Sequence, residues 1–136
     1  MKRFFVVIML FAFVIPFAHS HEVSKKAKVF IKSPQNGANV TSPVTIEFGI
    51  KGYLIAPVGE NIHKAGHYHL LIDLQNDLDL DEPIPRDAQH LHFDKGETQT
   101  VLALSPGQHT LQLVLGDEEH EPFEELISEQ VVIHVK

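Results

Sequence analysis

An all-β fold, an antiparallel β-sandwich of immunoglobulin type with about seven strands, is predicted by three features of the sequence. Short apolar runs rich in β-branched and aromatic residues follow one another from Lys28 onward. Pro, Gly and Asn separate them at turn spacing, and no window sustains a 3.6-residue apolar period beyond about ten residues. A length of 136 residues with 43% hydrophobic content suits one such domain.

The first segment is of another kind. Met1-Lys2-Arg3 is a basic head, and Phe4 to Ala18 is apolar throughout apart from Pro16, ending at His19-Ser20. That is the pattern of a secretory signal peptide, shorter than the roughly 20 residues of a membrane span. Small residues at Ala18 and Ser20 place the cut before His21, so the predicted organisation is signal 1–20, tether 21–27 and a single sandwich domain 28–136. The expected location is periplasmic or secreted, with no membrane span after cleavage. The cut also frees an amine on His21, which can chelate copper together with its own imidazole.

The strands are predicted in order. Lys28 to Ile31 ends at Ser33-Pro34-Gln35-Asn36-Gly37, and Val44 to Ile50 is entered through Pro43 and left through Lys51-Gly52. His67 to Leu74, His90 to Phe93, Thr98 to Leu104, His109 to Leu115 and Gln130 to Val135 supply the rest. Pro106-Gly107 predicts a hairpin between Thr98 to Leu104 and His109 to Leu115, whose Leu111, Leu113 and Leu115 face the core with His109 at the end of that face. Two loops, Lys51 to Gly66 and the acidic, Pro-rich Gln75 to Gln89, are long enough to suggest a functional role.

Composition narrows the chemistry. The chain has no Cys, which excludes disulfides, thiolate metal sites and a cysteine nucleophile. A formal charge of -7 argues against nucleic acid, whose binding draws on clustered Lys and Arg. Asp77-Leu78-Asp79-Leu80-Asp81 has the opening spacing of a calcium loop, but Glu82 stands where Gly is needed and Ala88 where Glu is needed. No nucleophile elbow, phosphate loop or His-Glu-x-x-His motif occurs, so a catalytic role is not predicted.

Histidine is the unusual component, at 10 residues. His67-Tyr68-His69 and His90-Leu91-His92 are both His-x-His pairs on predicted strands. Residues i and i+2 of a strand share a face at about 6.6 to 6.8 Å, and the next strand lies about 4.8 Å away. Neighbouring pairs thus bring up to four imidazoles towards one ion, at metal to nitrogen distances of about 2.0 to 2.1 Å. The competing reading is that strand-end histidines bond backbone carbonyls, and for His109, at the end of a leucine face, the two readings stand level. His120 lies in an acidic loop, Gly116 to Pro122, where a solvated side chain is the simpler account; His63 is a loop residue and His134 an exposed strand residue.

Gly66-His67-Tyr68-His69-Leu70-Leu71-Ile72-Asp73, Pro83-Ile84-Pro85 leading to His90-Leu91-His92-Phe93, Gly96-Glu97-Thr98, Pro106-Gly107-Gln108-His109-Thr110-Leu111-Gln112-Leu113 and Gly116-Asp117 with His120 form a specific string. With Ser33-Pro34-Gln35-Asn36-Gly37-Ala38 and Val44 to Gly49, it resembles a bacterial domain-of-unknown-function family, number 4399. The resemblance covers nearly all of Lys28 to Val135 and implies an exported all-β domain. The family's histidine positions fall here at His67, His69, His90, His92, His109 and His120, and this chain has Tyr68 where a third histidine is common. A broader similarity of fold and composition is to small periplasmic copper carriers, Cys-free β-sandwiches with histidine ligands.

Together these features predict an exported protein that carries or sequesters a metal ion, copper or zinc, on His67, His69, His90, His92, His109, His120 and His21. Imidazole suits both metals, and copper heads the divalent affinity order. A cell-envelope protein is the expected macromolecular partner. The main alternative is a non-catalytic immunoglobulin-like structural or interaction module whose histidines tune charge with pH; a copper-dependent oxidase ranks behind both.

Overall fold

Residues 26–136, the part that the computed structural model describes, form ten strands and no helix. The predicted signal segment, the cut before His21 and the tether up to residue 25 lie outside these residues. The strands are β1 (Lys28–Ser33), β2 (Ala38–Val40), β3 (Val44–Lys51), β4 (Leu54–Ile55) and β5 (Ala65–Ile72), then β6 (His90–His92), β7 (Gln99–Leu102), β8 (Gly107–Gly116), β9 (Pro122–Ile127) and β10 (Val131–Val135).

Two sheets face each other. The smaller has the order β1-β3-β7; the larger has the order β2-β10-β8-β5-β4, with β6 added to β5 and β9 to β8. Period-two alternation builds the interior. Val44, Ile46 and Phe48 of β3 are buried between exposed Thr45 and Glu47, and they meet Tyr68, Leu70, Leu111, Leu113, Leu115 and Ile133 from the other sheet. Phe48 sits at the centre, its ring 5.1 Å from that of Tyr68 and 4.8 Å from that of Phe93.

The sandwich agrees with the sequence-based fold class but has more strands than the seven expected. β2, β4 and β9 are additional, and two pairings, β2 with β10 and β4 with β5, are parallel. The predicted hairpin across Pro106-Gly107 does not form. β7 pairs with β3 in the small sheet, whereas β8 pairs with β5, β9 and β10 in the large one. Residues 103–106 cross between the layers, and four extended residues, about 13 Å, span the roughly 10 Å between packed sheets. β5 ends at Ile72 rather than Leu74 because Asp73 takes a left-handed φ of 53°.

β5 positions the site. From Gly66 to Ile72 every residue is buried, so both faces of this strand are covered. Tyr68, Leu70 and Ile72 fill the sandwich; His67, His69 and Leu71 point to the opposite, outer face of the sheet. The long loop after β5 folds back over that face, where Ile84 packs with Leu71 and Val114, and Leu74, Leu78 and Ile127 adjoin them. This second apolar cluster holds the cover down beside the histidines.

Candidate metal centre

Strand periodicity and register bring the first three imidazoles together. His67 and His69 are 1% and 0% exposed, with ring centroids 4.4 Å apart on the outer face of β5. β6 pairs antiparallel with β5 so that His92 lies opposite His69, and their centroids are 4.3 Å apart. His92 Nε2 is 2.6 Å from the Pro85 carbonyl oxygen. A carbonyl only accepts, so Nε2 carries the proton and donates it, which leaves the lone pair of neutral His92 on Nδ1.

The fourth imidazole comes from the turn between β8 and β9. Asp117 Oδ1 accepts the N–H groups of Glu119 and Glu121, and backbone bonds run from Asp117 N to Glu121 O and from His120 N to Asp117 O. In this tight turn His120 adopts φ 65°, unusual for a non-glycine residue, and its backbone oxygen accepts the N–H of Ile84 in the covering loop. Its Nδ1 lies 2.9 Å from His67 Nε2 and 3.4 Å from His69 Nε2. Gly116, just before the turn and opposite His67 in the register, keeps the space for the His69 ring.

His67, His69, His92 and His120 each offer one nitrogen, and these atoms all lie within 4.8 Å of one another. Two nitrogens on a common ion at the usual bond length stand about 3.4 Å apart in a tetrahedron and about 2.9 Å apart at right angles. The His67–His120 and His69–His120 spacings already match those values. Burial, reinforced by the neighbouring imidazole of His120, holds His67 down to about 4 from its ordinary 6.5. Burial pushes His69 lower still, with His67, His92 and His120 adding to the effect, and burial also lowers His92. These rings are therefore neutral near pH 7, the state in which imidazole is a ligand.

Polar atoms in the cluster lack partners. His69 Nδ1, His92 Nδ1 and Asp94 Oδ1 are buried without a hydrogen bond. Such orphans each cost about 1 to 3 kcal/mol unless a partner such as a water or an ion satisfies them. Asp94 Oδ1 lies 3.7 Å from His67 Nε2 and 3.9 Å from His92 Nδ1, while its Oδ2 is held by Arg86 Nη2. Desolvation, the largest influence on Asp94, raises its pKa, but the Arg86 hydrogen bond and charge with His120 and His67 outweigh it and the net shift is downward.

The other predicted ligands are placed elsewhere. His90 sits opposite Leu71, one pleat further along the same face, with Nδ1 2.8 Å from Asp87 Oδ1. His109 is at the start of β8, where Nδ1 meets Asp73 Oδ2 at 2.7 Å and Nε2 meets the Ser105 carbonyl at 2.8 Å, so both ring nitrogens are engaged. His134 is exposed, and His21 lies outside the described residues. Tyr68 projects into the sandwich, on the face of β5 away from the cluster. Sequence reasoning missed Asp94, Arg86, Pro85 and Gly116. Only Asp94 carried a signal, because His90-Leu91-His92-Phe93-Asp94 continues the alternation that puts it on the histidine face.

The chain belongs to the family described as Domain of unknown function (DUF4399), which matches residues 46–136 and so takes in all four clustered histidines. No curated protein and no solved structure matches it. Among the described residues no helix is long and apolar enough to cross a membrane.

Proposed function

We propose that this protein binds one divalent metal ion, Cu(II) or Zn(II), at His67, His69, His92 and His120, and carries or sequesters it in the periplasm or outside the cell without catalysing a reaction on it. The observation behind this reading is the convergence of four imidazole nitrogens within 4.8 Å from three separate segments. Histidine donors without thiolates suit Cu(II) and Zn(II). The basic-apolar sequence of residues 1–20 supports export, and hand-over to a cell-envelope partner follows from a carrier role.

Isothermal calorimetry of untagged protein with Cu(II) and with Zn(II) at pH 7.5 tests the proposal. One ion per chain with tight binding, lost when His67 and His69 are both replaced by Ala, is the expected result. Absence of heat from both metals overturns it.

A further inference from the structure

We propose that Asp94 is a fifth donor to the ion, that its Oδ1 adds a carboxylate oxygen to the four imidazoles, and that this oxygen makes the centre prefer a divalent ion over Cu(I). The inference rests on the metal-binding reading above and deepens it.

Asp94 is fixed from two directions. The N–H of Phe93 donates to the Tyr68 carbonyl at 3.0 Å, which continues the β5 pairing past the end of β6, and the N–H of Val58 donates to the Asp94 carbonyl at 2.8 Å. The side chain therefore leaves the backbone on the same face as His92, two residues along. Its two oxygens then differ. Oδ2 is taken by the exposed guanidinium of Arg86, whereas Oδ1 is buried, has no hydrogen-bond donor, and stands 3.7 Å from His67 Nε2 and 3.9 Å from His92 Nδ1.

His92 gives its Nε2 proton to the Pro85 carbonyl, so its buried Nδ1 is an acceptor. Across 3.9 Å it faces Asp94 Oδ1, a second acceptor, and no donor satisfies either. Two unpaired acceptors confronting each other in a buried place repel, and a cation between them turns that repulsion into two bonds. Spacings of 3.7 and 3.9 Å from Oδ1 to the two imidazole nitrogens fall inside the roughly 2.9 to 4.2 Å open to two donors on one ion. With Oδ2 held by Arg86, the carboxylate offers a single oxygen.

The preference follows from ligand character. Carboxylate is a hard, charged donor that suits divalent ions, whereas Cu(I) prefers soft thioether or thiolate, and the chain has no Cys and only two Met. Four neutral imidazoles alone hold either oxidation state; the added negative charge favours the ion of higher charge.

The test compares wild type with Asp94→Asn for Cu(II), Zn(II) and, under anaerobic reducing conditions, Cu(I), by chelator competition at pH 7.5. Cu(II) and Zn(II) affinity is expected to fall about 10- to 100-fold in the variant, with Cu(I) affinity changed by less than about 3-fold. Infrared difference spectra of wild type labelled with 13C-aspartate need no variant: one equivalent of Zn(II) is expected to shift an aspartate carboxylate stretch. Unchanged divalent affinity in Asp94→Asn, or no carboxylate shift in metal-binding wild type, overturns the fifth donor while the four-histidine site stands. Equal losses for Cu(I) and Cu(II) overturn the oxidation-state preference, and a wild type that binds no metal overturns both readings.

Discussion

Gly116 and His69 fit each other: a β-carbon on residue 116 would lie 2.5 Å from His69 Cε1 and 3.0 Å from His69 Nδ1. The ring is buried on all sides, so it has nowhere to yield without leaving the cluster. Gly116→Ala is expected to lower stability by about 1 to 3 kcal/mol through overpacking and to weaken Zn(II) binding at least tenfold, although no ligand is removed. Urea unfolding and a zinc titration of the variant check both, and wild-type affinity in Gly116→Ala would refute the fit.

The two His-x-His pairs are predicted to be unequal. Replacing His67 and His69 with Ala removes two of four clustered nitrogens, whereas in the second pair only His92 belongs to the cluster. His90→Ala should retain affinity within about 3-fold, and His92→Ala should lose as much as the His90/His92 double variant. A His90→Ala variant that loses tight binding contradicts the assignment.

Acid should destabilise the metal-free protein in a defined window. His67 is held near 4 in the folded chain against 6.5 when unfolded, and His69 and His92 are displaced the same way. Between those values the unfolded chain takes up protons that the folded chain refuses, so their contribution, complete above about pH 6.5, is lost as pH falls towards 4. Urea midpoints at pH 7.5, 5.5 and 4.5 should decline in that order, and less steeply in His67→Phe; a flat series would count against buried neutral imidazoles.

His109 should respond with the opposite sign. Its Asp73 hydrogen bond, then the Ser105 carbonyl, raise its pKa above the ordinary 6.5. Both neighbours are acceptors, so the doubly protonated ring satisfies both, and its contribution is complete below about pH 6.5 and is lost as pH rises through the folded value. Imidazole NMR titration of the metal-free protein should show His109 titrating above 6.5, and Asp73→Asn should bring it down. Asp73 Oδ1 also accepts the Thr110 N–H, and the variant is expected to cost about 1 kcal/mol. A His109 that titrates below 6.5 would exclude this pairing.

What the sequence made legible follows from which interactions are local. Alternation in Val44 to Ile50 and in Leu111 to Leu115, with the intervening turns, was enough for an all-β sandwich. Layer assignment was not local: Pro106-Gly107 has hairpin chemistry, yet the residues before it leave one sheet for the other. The same division holds in the site. His67, His69 and His92 share a face through period two and one strand pairing, which spacing anticipates. His120 arrives through an Asp117 turn and a left-handed backbone, and an acidic loop read residue by residue looks solvated. Separation of His90 from His92 depends on where the other clustered histidines stand along the face, which a repeated motif does not encode.

The segment from Asp73 to Gln89 touches two of the four clustered histidines, through the Pro85 carbonyl on His92 and the Ile84 N–H on the His120 carbonyl, and Ile84 also seals the apolar patch formed by Leu71 and Val114. Cover and histidine cluster are thus mechanically one unit. Displacing Ile84 from its seat would break the bond to the His120 carbonyl and draw the adjoining Pro85 carbonyl away from His92, with no change required in the sandwich beneath.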